Sequence, residues 1–164
     1  MAGFVTLAIN NLNEKRRARR DFVTKAFEGP RDDIKRAVDA SLVYYPHSAC
    51  DRTKAMEAQL LAAEREVRHS LTAVLALQEK CDSAVYHDAQ TAFDDFIAVL
   101  TSGSFQTKDA EEDLMTVILI ADAGAKLRSA LIGLRSETLS SAVANDWLSQ
   151  AQQALSGVRR SFGK

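Results

Sequence analysis

The chain has 164 residues, a formal net charge of -1, 46% hydrophobic residues and 26% charged residues. Those values fit one folded domain with a real core, and they exclude polyanion binding by bulk charge, so any basic surface has to be local. Two prolines and seven glycines punctuate the chain, which favours long helices over many short strands.

The N-terminal segment runs from an apolar stretch, Phe4-Val5-Thr6-Leu7-Ala8-Ile9, into a basic one, Lys15-Arg16-Arg17-Ala18-Arg19-Arg20. That order resembles the end of a membrane-spanning helix followed by its cytoplasmic flank. The apolar stretch is far below the roughly 20 residues a span requires. It also lacks the cationic start and small-residue cleavage site of a signal peptide. Two readings stay open: Met1 follows a removed transmembrane helix, or residues 4–12 are the apolar face of an ordinary packed helix. Lys15, Arg16, Arg17, Arg19 and Arg20 are the candidate surface for an anionic membrane or a protein partner. The competing reading is a solvated helix face paired with Glu14, Asp21 and Glu28. Nucleic acid is the least favoured partner, because no aromatics interleave the cations and the whole domain carries no positive excess.

The first helix is expected from about Phe4 to Glu28, with a break at Gly29-Pro30, since proline suits the first turn of a new helix. A second piece, Arg31 to Tyr44, buries Ile34, Val38, Leu42 and Tyr45, and Pro46 ends it. Tyr44-Tyr45-Pro46-His47 then reads as a polar-aromatic loop, one tyrosine packed and the other exposed. Ser48 and Asp51 have capping-box spacing and place a helix start there. From Asp51 to Cys81 the apolar residues Met56, Leu60, Ala63, Val67, Leu71, Val74 and Cys81 recur with a period near 3.5, in steps of three and four up to Val74.

A continuous helix over residues 50–102 would measure about 80 Å, so a break or kink is expected near residues 82–84. The next stripe is Val85, Ala89, Phe93, Phe96, Ile97 and Leu100, ending at Ser102-Gly103. Asp109 and Glu112 predict another helix start. The helix that follows carries two apolar stripes: Val117, Ile120, Leu127, Leu131 and Leu134 on one side, and Leu114, Ile118, Ala121, Ala125 and Ile132 on another. Two stripes predict burial on two sides and hence a central helix. Ser136 to Ser141 reads as a turn. The last helix, to about Arg160, buries Val143, Trp147, Ala151, Leu155 and Val158.

The predicted fold is all-α: a single domain over residues 1–164, an antiparallel bundle of four to six helices with long, kinked rods, and a basic N-terminal helix over residues 1–28. Four rods would bring both chain ends together, with Arg159, Arg160 and Lys164 near Lys15–Arg20. Asp109, Glu111, Glu112 and Asp113 would return to the same end and neutralise it.

Chemistry is poorly supported. Glu66-Val-Arg-His69 has the Glu-x-x-His spacing of bundle metal sites, but His47 and His87 lack the second copy. His47 and Cys50 do not make a zinc set without further ligands. No Gly-x-Ser-x-Gly and no phosphate-cradling glycine loop occurs. Asp94-Asp95 and Glu111-Glu112-Asp113 are sequence neighbours that point apart on a helix. Cys50 and Cys81 read as two reduced thiols, which suits the cytoplasm. The expectation is a non-enzymatic interaction module with no catalytic residue, cofactor or metal. It binds a protein partner or itself and lies in the cytoplasm, at the inner face of the membrane if anchored. The alternatives are a small-ligand or metal-binding bundle using Glu66 and His69 or a pocket at Tyr44 and Tyr45, and a nucleic-acid accessory protein using the basic helix.

Overall fold

The computed structural model describes the backbone at residues 2–48, 51–76, 83–102, 105–106 and 113–161, with side chains at 13–140 within those ranges. Among the described residues the chain is all-helical: α1 (Ala2–Tyr44), α2 (Lys54–Ala76), α3 (Ala84–Leu100) and α4 (Leu114–Ser161), with no strand. Two compact units divide it. One combines Met1–Thr24 with Arg135–Lys164, and the other is Lys25–Leu134.

Four described helices fall within the expected four to six, and α1 and α4 run longer than the sequence predicts. Gly29-Pro30 does not break α1, which runs 43 residues with Pro30 inside it. Proline at this position leaves the carbonyl of Ala26 without its helical donor, a penalty of about 3 kcal/mol. Burial on both sides outweighs that penalty: Val23, Phe27, Pro30, Ile34 and Ala37 form one covered stripe at steps of four and three. Gly29 lies off that stripe, and apart from its chain neighbours a Cβ added to it meets nothing within 4 Å. The neighbour that matters is Pro30, whose ring crowds the Cβ of any preceding residue in helical geometry. Gly29→Ala sets that crowding against a gain in helix propensity of about 1 kcal/mol, so a thermal midpoint close to that of the wild type is expected. A midpoint lowered as far as a core substitution lowers it would contradict the open surroundings of Gly29.

The predicted turn at Ser136–Ser141 is likewise absent, because α4 continues through it for a total of 48 residues. Helical geometry accommodates the polar residues there. Ser140 Oγ donates to the Ser136 carbonyl at 2.9 Å, and Thr138 is buried three and four positions beyond residues 135 and 134. In the same unit an Arg135 guanidinium N–H donates to Thr24 Oγ1 at 3.2 Å, tying α4 to α1.

One helix start moves because of how the predicted capping side chain is used. The Ser48 hydroxyl donates to the Asp51 carboxylate at 2.6 Å instead of capping a helix. Backbone bonds from Asp51 and Arg52 to the Ser48 carbonyl close a turn. Helix α2 begins at the next available cap, Thr53, whose Oγ1 accepts from the Met56 amide at 3.2 Å. Helix α4 starts after Asp113, which accepts from both the amide (2.9 Å) and the hydroxyl (2.6 Å) of Thr116. The predicted cap at Asp109 and Glu112 lies outside the described residues, as do Cys50 and Cys81. The expected break before α3 is present: Ser83 caps it, accepting from the Tyr86 amide at 3.1 Å.

Within the larger unit, α1 and α4 run antiparallel. The Asp113 amide donates to the Tyr45 carbonyl at 2.9 Å, and Gly124 faces Ile34 and Val38. The core is built from Ile34, Ala37 and Tyr45 of α1 and its end, Leu60, Val67 and Leu71 of α2, Phe96 and Leu100 of α3, and Ile120, Leu127 and Leu134 of α4. Leu42, predicted as core, is 51% exposed. The buried stripe of α1 passes instead through Ala37, Ser41 and Tyr44.

Candidate functional site

The start of α4 is held by an aromatic knot at the end of α1. Tyr45 is fully buried, and its hydroxyl donates to the Leu100 carbonyl at 2.7 Å, with the Ser102 carbonyl at 3.3 Å. Tyr44 stacks edge-on against it with centroids 5.1 Å apart and meets Phe105 at 5.6 Å. The Arg52 guanidinium sits 4.6 Å from the Tyr44 centroid, a cation–π contact. Gln106, in the left-handed region at φ 57°, donates its amide N–H to Tyr44 Oη at 3.2 Å and bonds Glu57 through its side chain. Both tyrosines are thus buried, correcting the expectation that one is exposed. The knot joins α1, α3 and the approach to α4. Burial, with the neighbouring Tyr44 and Asp113, pushes the Tyr45 phenol far above its ordinary value.

Helix α4 leaves this knot with its two apolar stripes in different surroundings. The first behaves as predicted: Val117, Ile120, Leu127, Leu131 and Leu134 are all buried. The second is open. Leu114 is 59% exposed, Ile118 61% and Ile132 70%, and Ala121 and Ala125 are exposed as well. Met115 and Leu119 widen the patch at its N-terminal end, each at least half exposed. The prediction of a helix covered on two sides is therefore wrong for the described residues. Periodicity reports that a stripe is apolar, and whether another element covers it depends on tertiary placement.

The borders of this seam are mixed in charge. Lys126 Nζ and Asp122 pair at 2.7 Å, both well exposed. On the α3 side an open groove is lined by Asp88, Asp95, Asp122 and Lys126, with Leu119 at its edge. On the α1 side Arg128 shares a cleft with Glu28, Arg31, Asp32 and Lys35. Leu42 extends the α1 stripe that carries Asp32 and Lys35 by one further heptad.

The predicted basic residues lie on α1 in the smaller unit. Lys15, Arg17, Arg19 and Arg20 are exposed and Arg16 is half-buried. At 100° per residue they cover roughly 200° of the helix circumference, so they form a collar rather than a stripe. Asp113, one of the acidic residues expected to neutralise them, donates its backbone amide to the Tyr45 carbonyl. The other predicted neighbours, Asp109, Glu111, Glu112 and Lys164, lie outside the described residues, as do the side chains of Arg159 and Arg160.

Glu66 is engaged by Arg36 at 2.8 Å, which also holds Asp33 at 2.9 Å, and His69 is exposed. Among the described residues no three His, Cys, Asp or Glu side chains gather where a metal ion would fit. No described helix is long and apolar enough to cross a membrane. The exposed seam is the feature sequence reasoning mislabelled: its residues were singled out, and their exposure was not visible in the spacing. Compared with protein-family models, with curated proteins and with solved structures, the chain matches none of them.

Proposed function

We propose that this chain is a non-enzymatic helical interaction module whose working surface is the open seam of α4. The observation that carries this reading is the exposure of Leu114, Ile118 and Ile132 at 59–70% on one helix face, while the opposite face is core. Contiguous exposed apolar side chains rimmed by polar ones mark contact surfaces. Covering a large aliphatic side chain is worth about 1.5–3 kcal/mol when complete, so several together supply useful affinity. The border of Asp88, Asp95 and Asp122 with Lys126 favours a protein partner over a lipid surface, because interfacial helices carry an excess of Lys and Arg.

The test is photo-crosslinking in the cells that make the protein, with the photoreactive residue at position 118 or 132, and at 65 on α2 as the exposed control. Adducts at 118 and 132 and none at 65 are expected. Equal yield at all three, or no adduct at the seam, would refute the reading.

The basic collar supports a second contact. Four of its five cations are exposed, and each basic residue near an anionic bilayer contributes about 1 kcal/mol. Sedimentation with phosphatidylserine vesicles is expected at low salt and is expected to be lost at high salt. Replacing Lys15, Arg17 and Arg20 by glutamine should abolish it. Binding that persists in high salt, or in the triple variant, would show that the collar is not responsible.

A further inference from the structure

We infer that the partner on the α4 seam is a second copy of this chain, packed antiparallel about a two-fold axis that crosses the seam midway between Ala121 and Ala125. This inference rests on the reading of the seam as a contact surface and adds the identity of what covers it.

The seam positions are Leu114, Ile118, Ala121, Ala125, Arg128 and Ile132, separated by steps of four, three, four, three and four. That alternation is the a/d spacing of a helix-to-helix seam. It reads the same backwards in size, with bulky residues at both ends and alanines in the middle. A two-fold axis at that midpoint sets Leu114 opposite Ile132 of the second copy, and Ala121 opposite Ala125. The central alanines allow close approach, and the large side chains close both ends.

Charge selects the same arrangement. Arg128 falls opposite Ile118, and its methylenes can cover that side chain while its guanidinium stays in the cleft with Glu28 and Asp32. A parallel pairing in register would instead face Arg128 with Arg128, and like charges across an interface disfavour it. A two-fold contact also closes after two copies, leaving no second face to propagate.

Sedimentation equilibrium of the purified full chain, under reducing conditions across a dilution series, tests this. A reversible shift from 18.0 kDa to twice that mass is expected. Ile118→Lys should weaken self-association about 100-fold, roughly tenfold for each copy. Its far-UV spectrum and melting curve in dilute solution should stay unchanged, since the side chain is 61% exposed there. Orientation is tested by Ala121→Glu and Ala125→Lys. Each alone should weaken association, and mixing the two chains should restore it, because those positions face each other only in the antiparallel register. A monomer at every concentration, a dimer indifferent to Ile118→Lys, or mixing without rescue would overturn the inference. A monomer that still gives seam adducts with a different protein in cells overturns the second copy alone. Loss of both overturns the seam reading as well.

Discussion

Replacing Tyr45 with phenylalanine is expected to lower the unfolding free energy by about 1–3 kcal/mol, and with alanine by about 3–5 kcal/mol. The first change leaves the Leu100 carbonyl without the buried hydroxyl that bonds it at 2.7 Å. The second also empties the space of a fully buried ring. Urea denaturation measures both. The phenol also ties stability to pH. Burial raises the folded-state pKa of Tyr45 above its ordinary value of about 10, so the unfolded chain releases the proton first as pH rises. Its contribution is complete below that ordinary value and is lost as pH climbs above it. The phenylalanine variant is expected to show a shallower decline in stability on the alkaline side. Equal stability of wild type and Tyr45→Phe, with parallel alkaline profiles, would mean that the knot does not join α1 to α3.

Gly124→Val is expected to destabilise the protein most among single changes at small residues, by more than the about 1–3 kcal/mol typical of modest overpacking. A Cβ at this position already lies 3.0 Å from Val38 Cγ2 and 3.2 Å from Phe96 Cε2. Alanine gains helix propensity of about 1 kcal/mol but meets both neighbours, so a net loss is expected even there. The contrast with Gly29→Ala is the informative part: the same substitution should cost far less at Gly29, where no other element approaches the new Cβ. Adding Val38→Ala to Gly124→Ala should recover part of the loss, because the two side chains share one contact. Additive losses would place α1 and α4 further apart than described.

Those close approaches are invisible in the amino-acid order, whereas the stripes that surround them are plain. Leu60, Ala63, Val67, Leu71 and Val74 were predicted as one face of α2 and are buried as one face. Val117, Ile120, Leu127, Leu131 and Leu134 were predicted for α4 and are buried likewise. Where a helix stops was less legible. Pro30 and the Ser136–Ser141 segment carry local signals for a break, and tertiary burial overrides both. Ser48 carries a start signal, yet its hydroxyl bonds the Asp51 carboxylate and the helix begins later, at Thr53's cap. The end of α1 was misjudged because Tyr44 finds its cover in Phe105 and Arg52, contacts no local pattern encodes. The candidate site shows the same division. Spacing identified Leu114, Ile118, Ala121, Ala125 and Ile132 as a coherent stripe. Only the placement of the other helices shows that this stripe faces outward.

Side-chain footprinting with a photogenerated carbene, on protein diluted until monomeric, tests the two-faced character of α4 most directly. Strong labelling of Leu114, Ile118 and Ile132 is expected, with Ile120, Leu127 and Leu134 spared. Comparable labelling of both stripes, or protection of both in the monomer, would contradict the account.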